Sequence, residues 1–170
     1  MNSIRDQIRQ AKLVDIGNCT SAGALSFTNL GLSALQVGNA IRVTPYNDLT
    51  NSWTIIYLDT TLATSNYLKQ CDFVITNHGT ITTNQTTPVI LASYITNSDI
   101  FTAQDYWGYT LTNEDEVDNT LQSIPNRLVI YVKLQFYQWE YPIAIVGTNG
   151  GANMYDYYQL RTKVTRRSWN

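Results

Sequence analysis

The chain has 170 residues, the size at which a single domain with one sizeable core is expected. Apolar residues make up 44% of it and charged residues only 14%, against about 25% in an ordinary globular protein, and the formal net charge is -2. No stretch approaches the roughly 18 consecutive apolar residues of a membrane helix, so a bilayer span is not expected. Neutral polar residues take the place of the missing charge. Threonine and asparagine together outnumber the charged residues, and tyrosines outnumber phenylalanine and tryptophan combined. Threonine and tyrosine suit a pleated, half-buried surface and asparagine suits turns, which favours strands joined by tight loops.

At the N-terminus, Ser3 with Asp6 three residues on resembles a capping box, and Ile4, Ile8 and Ala11 recur at helical spacing. A short helix is predicted over about residues 4–13. Arg5, Arg9 and Lys12 repeat that spacing one position later, giving a basic stripe beside the apolar one. Such an amphipathic arm suits docking on a neighbouring copy, a membrane surface or nucleic acid. Residues 1–20 are read as an N-terminal basic arm, and residues 21–170 as a single β domain ending in a basic C-terminal strand. The polar start lacks the apolar core of a signal peptide, so export by that route is not expected.

Residues 17–39 carry Gly17, Gly23, Gly31 and Gly38, a density that weakens helix and strand alike, and no element is assigned there. Strands are predicted from residue 40 onward: Ala40–Thr44, Ser52–Leu58, Cys71–Thr76, Pro88–Thr96, Tyr106–Leu111, Arg127–Trp139, Pro142–Gly147 and Tyr155–Thr165. In the run from Arg127 to Trp139, Leu128, Ile130, Val132, Leu134 and Phe136 fall on one face. Val129, Tyr131, Lys133, Gln135, Tyr137 and Trp139 fall on the other. This is a long strand with one core face. Asn149-Gly150 supplies the positive φ angles of a hairpin turn, which makes the sheet antiparallel. The expected fold is all-β: an antiparallel β-sandwich or barrel, jelly-roll type favoured, with a short N-terminal helix.

Motifs that carry chemistry are sparse. His78, followed by Gly79 in a polar stretch, reads as a turn residue, and no nucleophile motif accompanies it. Glu114-Asp115-Glu116-Val117-Asp118 lacks the EF-hand spacing and reads as a solvated acidic loop able to receive a basic arm from another copy. Gly147-Thr148-Asn149-Gly150-Gly151 lacks the Lys-Ser/Thr of a phosphate loop and reads as a hairpin. Cys19 and Cys71 are too few for a disulfide framework or a four-ligand zinc site; one bridge is possible, and Cys71 reads as a small core residue. Asn18-Cys19-Thr20 and Asn84-Gln85-Thr86 match the glycosylation tripeptide, a common match in an Asn/Thr-rich chain. No enzymatic activity, cofactor or metal is expected.

Aromatic residues and the charge layout carry the functional signal. Tyr131, Tyr137, Trp139 and Tyr141 alternate onto the non-core face of the long strand, and Tyr106 and Trp107 open a second cluster with Tyr109. Such residues suit interfaces and sugar-stacking platforms, or burial under a second sheet. Arg161, Lys163, Arg166 and Arg167 make the C-terminus basic, while the body between the two ends is acidic. A basic N-terminal arm, a charge-poor β body and a basic C-terminal strand form a layout that resembles the single jelly-roll capsid proteins of small viruses. The resemblance lies in arrangement and carries no residue roles across. It implies a non-enzymatic, self-assembling structural subunit of the viral capsid or spike type, located in a virion or extracellular assembly. Its partners would be other copies or other coat proteins, with nucleic acid as a second partner for the basic ends. The rival readings are a glycan-binding module and a β-sandwich toxin whose N-terminal helix inserts into membranes.

Overall fold

The computed structural model describes residues 2–20, 25–30, 34–45, 52–61, 65–77, 81–105, 107–112, 129–139 and 155–165. Helix α1 spans Asn2–Arg9. The strands that follow are β1 (Ala11–Thr20), β2 (Ser26–Asn29), β3 (Val37–Gly38), β4 (Ala40–Pro45), β5 (Ser52–Asp59), β6 (Asn66–Asn77), β7 (Ile81–Gln85), β8 (Val89–Ile95), β9 (Phe101–Gln104), β10 (Val129–Trp139) and β11 (Tyr155–Thr165). All belong to one antiparallel sheet, ordered β2-β1-β4-β5-β6-β8-β10-β9-β3, with β11 beside β10 and β7 beside β6. The sheet curls into a half-barrel. Its strand path runs from β2 and β1 through β4 and ends at β3, which Asn39 alone separates from β4 in the chain.

Alternation decides what fills the concave side. Val14 and Ile16 of β1, Ile41 and Val43 of β4, and Ile56 and Leu58 of β5 meet Leu68, Ile95, Phe101 and Ala103 there. Ile130, Val132 and Leu134 of β10 and Val164 of β11 complete this core, with Phe136 packed against it. The face predicted for the long strand is therefore the core face from Ile130 to Phe136; Leu128 lies outside the described residues. A second cluster forms on the opposite face of β5, where Ile55 and Tyr57 bury against Cys19, Ala40, Cys71 and Phe73. Trp53 stacks on Phe73 at 5.5 Å between ring centroids. Both cysteines are buried and free, so Cys71 is the small core residue its sequence context suggests, and no bridge joins it to Cys19.

Two glycines permit a close approach that any side chain would block. A Cβ on Gly38 would overlap the Gly17 carbonyl oxygen, and one on Gly17 would overlap the Thr28 carbonyl oxygen and the Phe27 ring. This is how β3 and β2 come to lie against β1.

The N-terminal region differs from its expected form. The helix ends at Arg9 because Ala11–Thr20 joins the sheet, pairing with β4 through Ile16↔Ile41 and Val14↔Val43. Ser3 lies inside the helix, where its Oγ accepts from Gln7 Nε2 at 3.3 Å, instead of capping it. In place of a detached basic arm, Ile4 and Ile8 are buried in the core and residues 11–20 form a strand between β2 and β4. An amphipathic helix docks its apolar stripe on available core, and here the concave sheet supplies it. The same burial covers the apolar face of the helix in this fold. Among the described residues no helix is long and apolar enough to cross a membrane. The C-terminal strand is likewise sheet rather than tail, paired with β10 from Val129↔Thr165 to Trp139↔Tyr155.

Candidate functional site

The aromatic and basic signals converge on the outer face of β9, β10 and β11. With Ile130, Val132 and Leu134 turned to the core, Tyr131 and Lys133 emerge on the opposite face. Register then sets their neighbours. Tyr131 lies opposite Thr102 of β9 on one side and Lys163 of β11 on the other. Val129 lies opposite Gln104, and Lys133 lies directly opposite Arg161. Gln104, Tyr131, Arg161, Thr162 and Lys163 line a groove of about 490 Å³.

The turn after β9 forms a wall beside it. Asp105 Oδ1 accepts from the backbone N–H groups of Gly108 at 2.7 Å and Tyr109 at 2.8 Å, holding the turn in place. Gly108 has φ +98°, a conformation that favours glycine, and a Cβ there would stand 3.3 Å from Lys163 Nζ. The turn backbone thus abuts the Lys163 ammonium. Trp107 and Tyr109, on either side of Gly108, are both strongly exposed. Of the strand predicted over Tyr106–Leu111, Tyr106 lies outside the described residues and the remainder holds this turn and one isolated bridge, Gln104↔Thr110, while the neighbouring strand lies at Phe101–Gln104.

Charge in the groove is uncompensated among the described residues. Their ion pairs are Arg5–Asp6, Arg42–Asp15 at 2.7 Å and Lys69–Asp59 at 2.5 Å, and none reaches Lys133, Arg161 or Lys163. Gln104 Oε1 is buried without a hydrogen-bond partner. The groove therefore offers cationic donors and an aromatic face, with the Gln104 side chain among its lining.

The second cluster is apolar and buries a thiol. Burial pushes the Cys19 thiol up to about 12, with Cys71 and then Asp59 adding to the effect. A thiol held protonated is a poor nucleophile. Asp59, itself buried, also accepts from Thr61, and Lys69 lies over the Tyr67 ring. Among the described residues no three His, Cys, Asp or Glu side chains gather as a metal site.

Of the residues singled out from sequence, Tyr131, Arg161 and Lys163 line the groove and Trp107 stands on its flanking turn. Tyr137 and Trp139 continue along β10. Tyr106, Tyr141, Arg166, Arg167, His78, Asn149-Gly150, the strand predicted at Pro142–Gly147 and the acidic run Glu114–Asp118 lie outside the described residues. Arg5, Arg9 and Lys12 do not line the groove; Arg5 is half-buried near Asp6, and Arg9 and Lys12 are exposed. Sequence reading missed Gln104 and the Lys133–Arg161 pairing. The alternation of β10 did place Lys133 on the correct face, but nothing in the sequence marked Gln104.

Compared with known proteins, the chain matches no family, no curated protein and no solved structure.

Proposed function

We propose that this chain is a non-enzymatic structural subunit that assembles with copies of itself, a jelly-roll-type coat or spike component of a virion or similar extracellular assembly. The observation that supports this reading best is strand β8. Val89 and Ile90 are consecutive and so point to opposite faces of the sheet, yet they are 61% and 54% exposed. A strand that is apolar on both faces is ordinarily one buried on both faces. Burial of both faces of β8 by neighbouring copies resolves that mismatch. Tyr94, on the same strand, is exposed as well.

Strand β11 adds an open edge. It pairs with no described strand other than β10, and it exposes Tyr158 and Leu160. Unpaired edges of this length are templates for adding another strand. The charge-poor composition offers little repulsion against such contacts.

Light scattering on the purified chain over a range of concentration and salt tests the proposal. The expected result is a defined oligomer that Val89→Asp with Ile90→Lys converts to a folded monomer with an unchanged circular dichroism spectrum, because both side chains are exposed in the single chain. A wild-type chain that remains monomeric throughout overturns it.

A further inference from the structure

We propose that the groove between β9, β10 and β11 binds an acidic saccharide, a sugar ring carrying a carboxylate. The proposal does not depend on self-assembly. It starts from a broken local rule. Like charges directly opposite one another on antiparallel strands destabilise a sheet, and Lys133 and Arg161 are such a pair. Lys163 adds a third cation two residues from Arg161 on the same face, and no described carboxylate pairs with any of them. Departures of this kind concentrate where a ligand supplies the missing partner. A carboxylate seated at Arg161 and Lys163 neutralises the cluster, and the planar Arg161 guanidinium suits it for two parallel hydrogen bonds.

The remaining groove chemistry selects a sugar over a bare anion. Gln104 lines the groove, and its side-chain amide suits a sugar hydroxyl. Tyr131 lines the groove, and Trp107 and Tyr109 stand exposed on the turn beside Lys163. Aromatic faces like these pack against the C–H face of a pyranose while their polar tips stay wet. At about 490 Å³ the space lies within the range of small-molecule sites, roughly 300–1,000 Å³. A nucleic-acid strand would instead call for a basic track along its backbone, whereas this chain carries a net charge of -2.

Calorimetric titration of the full chain with methyl glucuronide, methyl glucoside, inorganic phosphate and an oligouridylate provides the test. The glucuronide is expected to bind at least tenfold more tightly than the neutral glucoside or phosphate, and to weaken with salt. Arg161→Gln and Tyr131→Ala should each reduce that binding at least tenfold, while Lys12→Gln leaves it unchanged. Lys133→Glu separates ligand binding from a structural role. By pairing with Arg161 it should raise the melting temperature by roughly 1–4 °C while abolishing glucuronide binding. Equal binding of glucuronide and glucoside, competition by phosphate at equal strength, tighter binding of oligouridylate, or unaltered binding in Lys133→Glu would each overturn the assignment. Oligomeric state measured on the same variants is expected to be unchanged, so that failure here is distinct from failure of assembly.

Discussion

Cys19 and Tyr57 meet in the second cluster, where burial acts on both in the same direction. The Cys19 thiol moves from its ordinary 9.0 to about 12 through burial first, then Cys71 and Asp59. The Tyr57 hydroxyl moves from 10.0 to about 12 through burial first, then Asp59, Cys71 and Cys19. Raised values mean that the folded chain holds protons that the unfolded chain releases. Stability from these groups is therefore fully present below about pH 9 and is lost as pH rises toward 12. The midpoint of urea unfolding should fall over that interval, and it should fall less steeply in Cys19→Ala than in the wild type. Parallel curves for the two proteins would refute the assignment. The same protonation predicts slow alkylation of Cys19 in the folded chain at pH 8 and rapid alkylation once urea exposes it.

At the scale of elements, β10 determines where both the core and the groove lie. Val132 is fully buried and its neighbour Lys133 emerges on the other face. Val132→Asp places an unpaired charge in the core and should cost at least about 4 kcal/mol, enough to prevent stable folding, whereas Lys133→Asp should fold normally. Circular dichroism of the pair checks the facing, and two equally folded variants would contradict it. This strand was legible because its alternation is strict, and the bounds of β4, β5, β8 and β11 were legible within a residue or two for similar reasons. Elsewhere the local pattern misleads. Aromatic density at Tyr106–Leu111 imitates a strand, but the Asp105 carboxylate and the positive φ of Gly108 hold part of it as a turn. Strand β6 starts five residues before its predicted start because the largely polar Asn66–Gln70 is held by pairing with β5 and β8. The two-residue β3 depends on the Gly17–Gly38 approach, a contact between distant segments that no local pattern announces. The groove shares that limitation. Tyr131 and Lys163 were visible as residue types, but their adjacency is a consequence of register.

For the whole molecule, helix α1 is what spans the concave side of the half-barrel. It contacts β1 and β4 on one side and β11 on the other, and Gln7 Nε2 donates to Gln70 Oε1 of β6 at 3.0 Å. Among the described residues β11 pairs with β10 alone, and the helix provides its contact with the β1–β4 region. Ile8 is fully buried and Ile4 nearly so, and loss of the Ile8 side chain beyond Cβ should cost about 2–5 kcal/mol. Deleting residues 1–10 therefore uncovers core rather than trimming an arm. The expected result is a large fall in unfolding midpoint together with faster amide exchange in β11 as well as in β1, although the two strands do not pair with each other. Ile8→Ala should produce the same pattern to a smaller degree while leaving Arg5, Arg9 and Lys12 in place, which separates the burial of the helix from its charge. Exchange in β11 that stays at wild-type rates in both variants would show that the helix does not hold the two sides together.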